Sequence, residues 1–313
     1  MNSLCGSSIF LVDGTFDVVA SNFAQLLSIY AQLTPGVFRP AVYALLPDKL
    51  QSTYIRVFQI LRQLPALSNW APAMALTDLD VGLRNAIAGT FSNIRLSSCW
   101  FHLSDAWRRK IEELKLQGLV QPVKSHYDVY MKLQSLPFIP ETDVPTMFNS
   151  IYSKIGKNDP LIAFLDYLKQ NYVDGVPGRN PLFPPSSWNL AENMMSGQLR
   201  SNNNVESWHK KLASFAADLH GVRRVQMSQL ITKIQAEEEK TRQDIELLLQ
   251  NPEARLNAKR RRVCVKFDAE LIRIVSNNPP PPGKPLDKHE LLSAISELLK
   301  KKPTGIDSFS SFM

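Results

Sequence analysis

Ser8-Ile9-Phe10-Leu11-Val12-Asp13-Gly14-Thr15-Phe16 is the stretch on which the fold turns. Its apolar run is short and ends in Asp13-Gly14, which predicts a strand followed by a turn. Working outward, Phe23 to Leu33 is a second apolar run able to pair beside the first, and Pro40 to Leu46 is a third, closed by Pro47-Asp48. Gln51 to Leu64 carries Tyr54, Val57, Phe58, Leu61 and Leu64 at helical spacing, so an amphipathic helix is expected there. Ala73 to Leu76 returns to strand and runs into Thr77-Asp78. Val81 to Phe91 reads as helix, Ile94 to Phe101 as strand, and Leu103 to Leu116 as a helix with Trp107, Ile111 and Leu114 on one face. Three early runs in succession predict an antiparallel meander, and the later strand–helix alternation predicts parallel additions. The class is therefore α/β, a mixed sheet flanked by helices.

From about Val120 to Leu190 the character changes. Proline is frequent and the periodic stretches, Met147 to Ile155 and Leu161 to Tyr172, are helical, so this segment reads as an all-helical insertion. A helical tract follows from about Asn203, with a break expected near His220-Gly221 and a charged second part, Val225 to Leu249. Lys259 to Arg262 is a basic cluster and Pro279 to Pro282 marks a linker. A short amphipathic helix, His289 to Leu299, is expected in the tail.

The chain has 313 residues, 44% hydrophobic and 21% charged, which suits a globular protein. No run approaches the roughly 18 apolar residues of a membrane span, and the N-terminus lacks the basic start of a secretory signal. Three scattered cysteines fit a reducing compartment rather than a disulfide framework. A net charge of +7 is compatible with a polyanionic partner and equally with an ordinary basic surface.

Three acidic residues stand at element ends: Asp13 after the first strand, Asp78 after the Ala73–Leu76 strand, and Glu206 in Asn203-Asn204-Val205-Glu206. Carboxylates converging from two strand ends and one helix can hold a pair of hard cations, with phosphate oxygens completing the shell. Each residue also has a simpler reading. Asp13-Gly14 can be a turn, Asp78 can cap the following helix, and Asn203 to Glu206 has capping-box spacing.

The words around these residues carry more. Thr77-Asp78-Leu79-Asp80 followed by Asn85-Ala86-Ile87, then Cys99-Trp100-Phe101-His102, resembles the central block of Mutator-like element (MULE) transposases. Asn202-Asn203-Asn204-Val205-Glu206-Ser207-Trp208-His209, with its lead-in from Trp188-Asn189, resembles that family's third block. Asp13-Gly14-Thr15-Phe16 resembles its first catalytic word. The resemblance extends over about Ile9 to Leu249. It implies an RNase H-like mixed sheet flanked by helices, with an all-helical insertion before the last catalytic helix. Residues 1–120 would be the first part of the core, 121–190 the insertion, 191–250 the last part with the Glu206 helix, and 251–313 a basic, proline-rich tail. It further implies Asp13, Asp78 and Glu206 as a triad for two Mg²⁺ or Mn²⁺ ions, DNA as partner, a homo-oligomer on DNA, and a nuclear location. A proofreading-type exonuclease of the same fold would place an Asp-x-Glu pair on the first strand, where this chain has Thr15.

Other residues cluster near these blocks. Cys99 and His102 are half of a zinc set with no second half, so they either pack or lie beside the active site. His209 lies one turn after Glu206 on the same helix face and would bond the carboxylate, contact DNA or pack. Arg108, Arg109, Lys110, Lys210, Lys211, Arg223 and Arg224 are candidate phosphate contacts, and a solvated helix face explains them as well. Lys259 to Arg262 reads as a nuclear localisation patch, a DNA contact or plain surface. Members of the resembled family commonly carry a DNA-binding module, often a zinc finger, ahead of the core, and the cysteines here cannot build one. The second reading is therefore a host-adopted descendant that binds DNA or protein without catalysis.

Overall fold

The computed structural model describes residues 2–16, 19, 22–195, 226–254, 256, 262–276 and 286–301. They fall into two compact units, Met1–Ser97 with Ser201–Ala258, and Ser98–Arg200 with Lys259–Met313.

After a short helix α1 (Asn2–Cys5), five strands form one sheet: β1 (Ile9–Thr15), β2 (Gln25–Thr34), β3 (Val37–Leu46), β4 (Met74–Thr77) and β5 (Arg95–Ser98). Their spatial order is β3-β2-β1-β4-β5. β1, β2 and β3 are an antiparallel meander, whereas β4 joins β1 in parallel. The β2–β3 connection is only Pro35-Gly36, and Gly36 takes φ +77, a conformation that a side chain disfavours. A parallel neighbour cannot be reached by a hairpin, so α2 (Gln51–Gln63) supplies the crossover to β4.

Alternation along the strands sorts the sheet into two faces. Phe10 and Val12, Leu27 and Ile29, and Ala75 point to the face covered by α2 and α3 (Val81–Thr90), where they meet Tyr54, Phe58, Leu61, Leu83, Ala86 and Ile87. Phe10 and Phe91 both lie edge-on or tilted against Trp70, at 5.1 and 4.9 Å between ring centres. On the opposite face Leu26, Tyr43 and Leu45 meet Leu230 and Ile234 of α9 (Met227–Gln250). Arg39 on β3 pairs with Asp244 of the same helix at 2.6 Å. An open mixed sheet of this order with helices on both faces is consistent with an RNase H-like fold.

In its described regular elements the second unit is helical, apart from Ser98 at the end of β5 and a single bridge between Val176 and Arg179. It comprises α4 (Trp100–Glu113), α5 (Tyr127–Ser135), α6 (Val144–Tyr152), α7 (Ile162–Leu168) running on as a π-helical turn, α8 (Ala191–Met195), α10 (Arg262–Val275) and α11 (Lys288–Lys300). Trp107, Tyr172 and Trp188 meet edge to face in its core, with Trp107 5.6 Å from Tyr172 and 6.0 Å from Trp188. α11 begins at a complete capping box, Asp287 accepting from His289 N and Glu290 N while Glu290 accepts from Asp287 N. It packs on α5, where Lys300 pairs with Asp128 at 2.7 Å.

Two elements differ from the sequence reading. The strand expected over Ile94 to Phe101 stops at Ser98, because Cys99 is the N-cap of α4 and Trp100 to His102 already belong to the helix. α10 went unread, although Val263, Phe267, Leu271 and Val275 recur every four residues, because the adjoining basic cluster drew the reading toward a surface patch. The expected break near His220-Gly221 and most of the Lys259–Arg262 cluster lie outside the described residues. No helix among the described residues is long and apolar enough to cross a membrane.

Candidate functional site

Asp13 lies within β1, and Asp78 follows the last residue of the neighbouring strand β4. β1 and β4 pair as Ile9 with Met74, Phe10 with Ala75 and Leu11 with Leu76. That pairing ends at Leu11 and Leu76, two residues before Asp13 and Asp78, and Asp78 follows the last residue of β4. Because Phe10 and Val12 face the α2–α3 core, Asp13 belongs to the other face of the sheet by alternation. Ser28, directly opposite Asp13 on β2, and Tyr43, opposite Ser28 on β3, complete a polar row on that face.

The turn reading of Asp13-Gly14 is overturned, since both residues lie inside β1 and pair with Ser28 and Leu27. Asp13 is 4% exposed, and its Oδ1 accepts from Gly14 N at 3.0 Å. Gly14 is required for space rather than for backbone freedom. A Cβ there would coincide with the side-chain amide of Gln25, which accepts from the Tyr54 hydroxyl at 2.9 Å. Gly14→Ala is therefore expected to cost about 1–3 kcal/mol through overpacking. Adding Gln25→Ala should recover part of that loss, so a double-mutant cycle by urea unfolding would show coupling, and strict additivity would sink the explanation.

The capping reading of Asp78 is also corrected. The N-cap of α3 is Asp80, whose Oδ1 accepts from Leu83 N at 2.8 Å. Asp78 Oδ1 instead accepts from Asp80 N at 3.0 Å, a tight local turn that fixes the carboxylate. Burial pushes the Tyr54 phenol up to about 12, assisted by Asp80 and opposed by the bond to Gln25, so it stays a neutral donor. On the opposite face burial raises Tyr30 and Tyr43 far above the ordinary phenol range, with Glu237 of α9 adding to both and Asp13 to Tyr30.

Arg84 was not singled out from the sequence. It is 6% exposed on α3, and its Nη1 donates to Thr77 Oγ1 at 3.0 Å, with Asp78 O at 3.4 Å. Burial lowers the guanidinium to about 10, and the Asp78 charge works against that shift. The available signal was a cation inside the otherwise apolar run Leu83, Ala86, Ile87.

The remaining candidates are dispersed. Cys99 is buried at the start of α4, and His102, half-buried one turn on, has its ring 5.4 Å from that of Phe101. Arg108 bridges Asp105 and Glu112, both at 2.6 Å. Arg109 pairs with Asp105 at 3.2 Å, and Lys110 with Glu113 at 2.6 Å. Glu206, His209, Lys210, Lys211, Arg223 and Arg224 lie outside the described residues. Among the described residues no group of three or more His, Cys, Asp or Glu side chains is placed to hold a metal ion. Asp13 and Asp78 supply two hard oxygen donors, which suits Mg²⁺ or Mn²⁺ and not zinc.

No curated protein matches the chain. Residues 9–106 do match a family model, that of the MULE transposase domain, and this third of the chain contains Asp13, Asp78, Cys99 and His102. The match covers about a third of the 313 residues, and over that third the chain is similar to the catalytic domain of transposases.

Proposed function

We propose that the chain is the core of a DNA transposase in which Asp13, Asp78 and Glu206 hold two divalent ions for strand cleavage and transfer. The observation that supports this reading is the parallel pairing of β1, which bears Asp13, with β4, which Asp78 follows. Two bound Mg²⁺ or Mn²⁺ ions would activate the attacking oxygen and stabilise the leaving one. The protein's own part is to hold the carboxylates ready: Gly14 N and Asp80 N each fix one of them. Arg109, with its side chain 66% exposed, is the most available phosphate contact of the α4 trio. Lys210, Lys211, Arg223 and Arg224 would follow the Glu206 block, with Cys99, His102 and His209 as auxiliary residues.

On this reading residues 1–120 and 191–250 are the two parts of the core and 121–190 the insertion between them, with 251–313 as the tail. The protein would act on DNA in the nucleus, as a homo-oligomer. Incubation with supercoiled plasmid should give nicked product only when Mg²⁺ or Mn²⁺ is supplied. DNA binding with no ion-dependent nicking would replace this reading with that of a non-catalytic descendant.

A further inference from the structure

The loop Thr77-Asp78-Leu79-Asp80 is pinned to α3 at two places. At one end Asp80 caps the helix through Leu83 N. At the other, Arg84 reaches back from the helix to Thr77 Oγ1 at 3.0 Å, and Thr77 Oγ1 itself donates to Asp78 O at 2.7 Å. Thr77 is fully buried and Arg84 nearly so. Arg84 Nη1 also lies 3.4 Å from the Asp78 carbonyl oxygen, while Asp80 N donates to Asp78 Oδ1 at 3.0 Å.

Burying a guanidinium is costly, and an apolar side chain of similar volume would serve packing better. Leu83, Ala86 and Ile87 around it show what packing alone selects on this face of the helix. Both contacts come from one nitrogen, Nη1, which the rigid planar guanidinium holds in place, whereas a lysine would bring a point charge on a flexible stem.

We propose that Arg84 is a positioning residue for Asp78: its buried guanidinium fixes the Thr77–Asp78 segment through Nη1 so that the carboxylate is preset for a divalent ion. This rests on the reading of Asp78 as an ion ligand. Groups that orient a ligand from behind typically matter 10–100-fold in metal affinity or activity. Arg84→Lys keeps the charge and loses the rigid guanidinium that holds Nη1 against the two oxygens.

The test uses the full chain with plasmid DNA, comparing the native protein, Asp78→Asn, Arg84→Lys and Arg84→Met. Mn²⁺ affinity is read by electron paramagnetic resonance, and kcat and KM for nicking are read separately. Arg84→Lys is expected to weaken Mn²⁺ about tenfold and to lower kcat about 10–100-fold, with KM for DNA unchanged. Should Arg84→Met fail to fold, Arg84→Lys alone decides. Native Mn²⁺ affinity and kcat in Arg84→Lys, beside an Asp78→Asn that has lost both, would overturn the assignment of Arg84 alone. A raised KM with intact kcat would overturn it too, by making Arg84 a phosphate contact. If the native protein itself takes up no Mn²⁺ in the presence of DNA, the ion-site reading falls and the role of Arg84 falls with it.

Discussion

Asp78→Asn is expected to lower ion-dependent strand cleavage by roughly a thousandfold, the several kcal/mol that a metal ion contributes to a charged transition state. The substitution is close to isosteric. Asn keeps an oxygen that can accept from Asp80 N, so the local turn and the Asp80 cap of α3 should persist. The Thr77 and Arg84 contacts to the Asp78 carbonyl involve backbone and are likewise retained. What is lost is the one negative charge of the Asp78 side chain. Far-ultraviolet dichroism and the urea midpoint should therefore stay near native values while plasmid nicking disappears. Full nicking by a folded Asp78→Asn protein would remove Asp78 from the ion site. An equal loss of stability and activity would mean that Asp78 is a structural residue only.

The sheet was legible because burial writes itself into sequence twice over. β1, β2 and β3 alternate between the α2–α3 core and the α9 face, and their apolar runs are long enough to show where each strand lies. The positions of Asp13 and Asp78 followed from those strand ends. Their hydrogen bonding did not, since Asp78 and Asp80 are both able to cap, and only the geometry assigns the cap to Asp80. Gly14 looked like a turn residue because Asp-Gly usually is one. The need for it comes from Gln25, eleven residues away in sequence and beside it across the β1–β2 pair, which no local pattern reveals. The Cys99–His102 word was placed on a strand because its apolar residues fit either period, and the buried Trp100 decided for helix. For the same reason Arg84 was passed over: a charge within an apolar stripe reads as surface until its partners are known.

Trp188→Ala should be among the most damaging substitutions in the second unit. The sequence offered Trp188-Asn189 as the lead-in to the third family block, yet both side chains are core elements of the helical unit. Trp188 is fully buried, and its Nε1 donates to Phe183 O at 2.9 Å and to Tyr172 O at 3.2 Å. Asn189 donates to Ile139 O at 2.8 Å and accepts from Ala191 N at 3.1 Å, tying the start of α8 to the segment that follows α5. Removing the indole leaves a cavity beside Trp107 and Tyr172, a loss of about 3–5 kcal/mol by the usual aromatic-to-alanine range. It also strips two buried carbonyls of their donor, adding about 1–3 kcal/mol for each that finds no new partner. Trp188→Phe separates these contributions, because it restores most of the packing and none of the hydrogen bonds. Urea unfolding should rank native above Trp188→Phe above Trp188→Ala. If Trp188→Phe matches the native protein, packing alone explains the residue. If it falls as far as Trp188→Ala, the indole N–H is what holds the Tyr172–Phe183 loop in place.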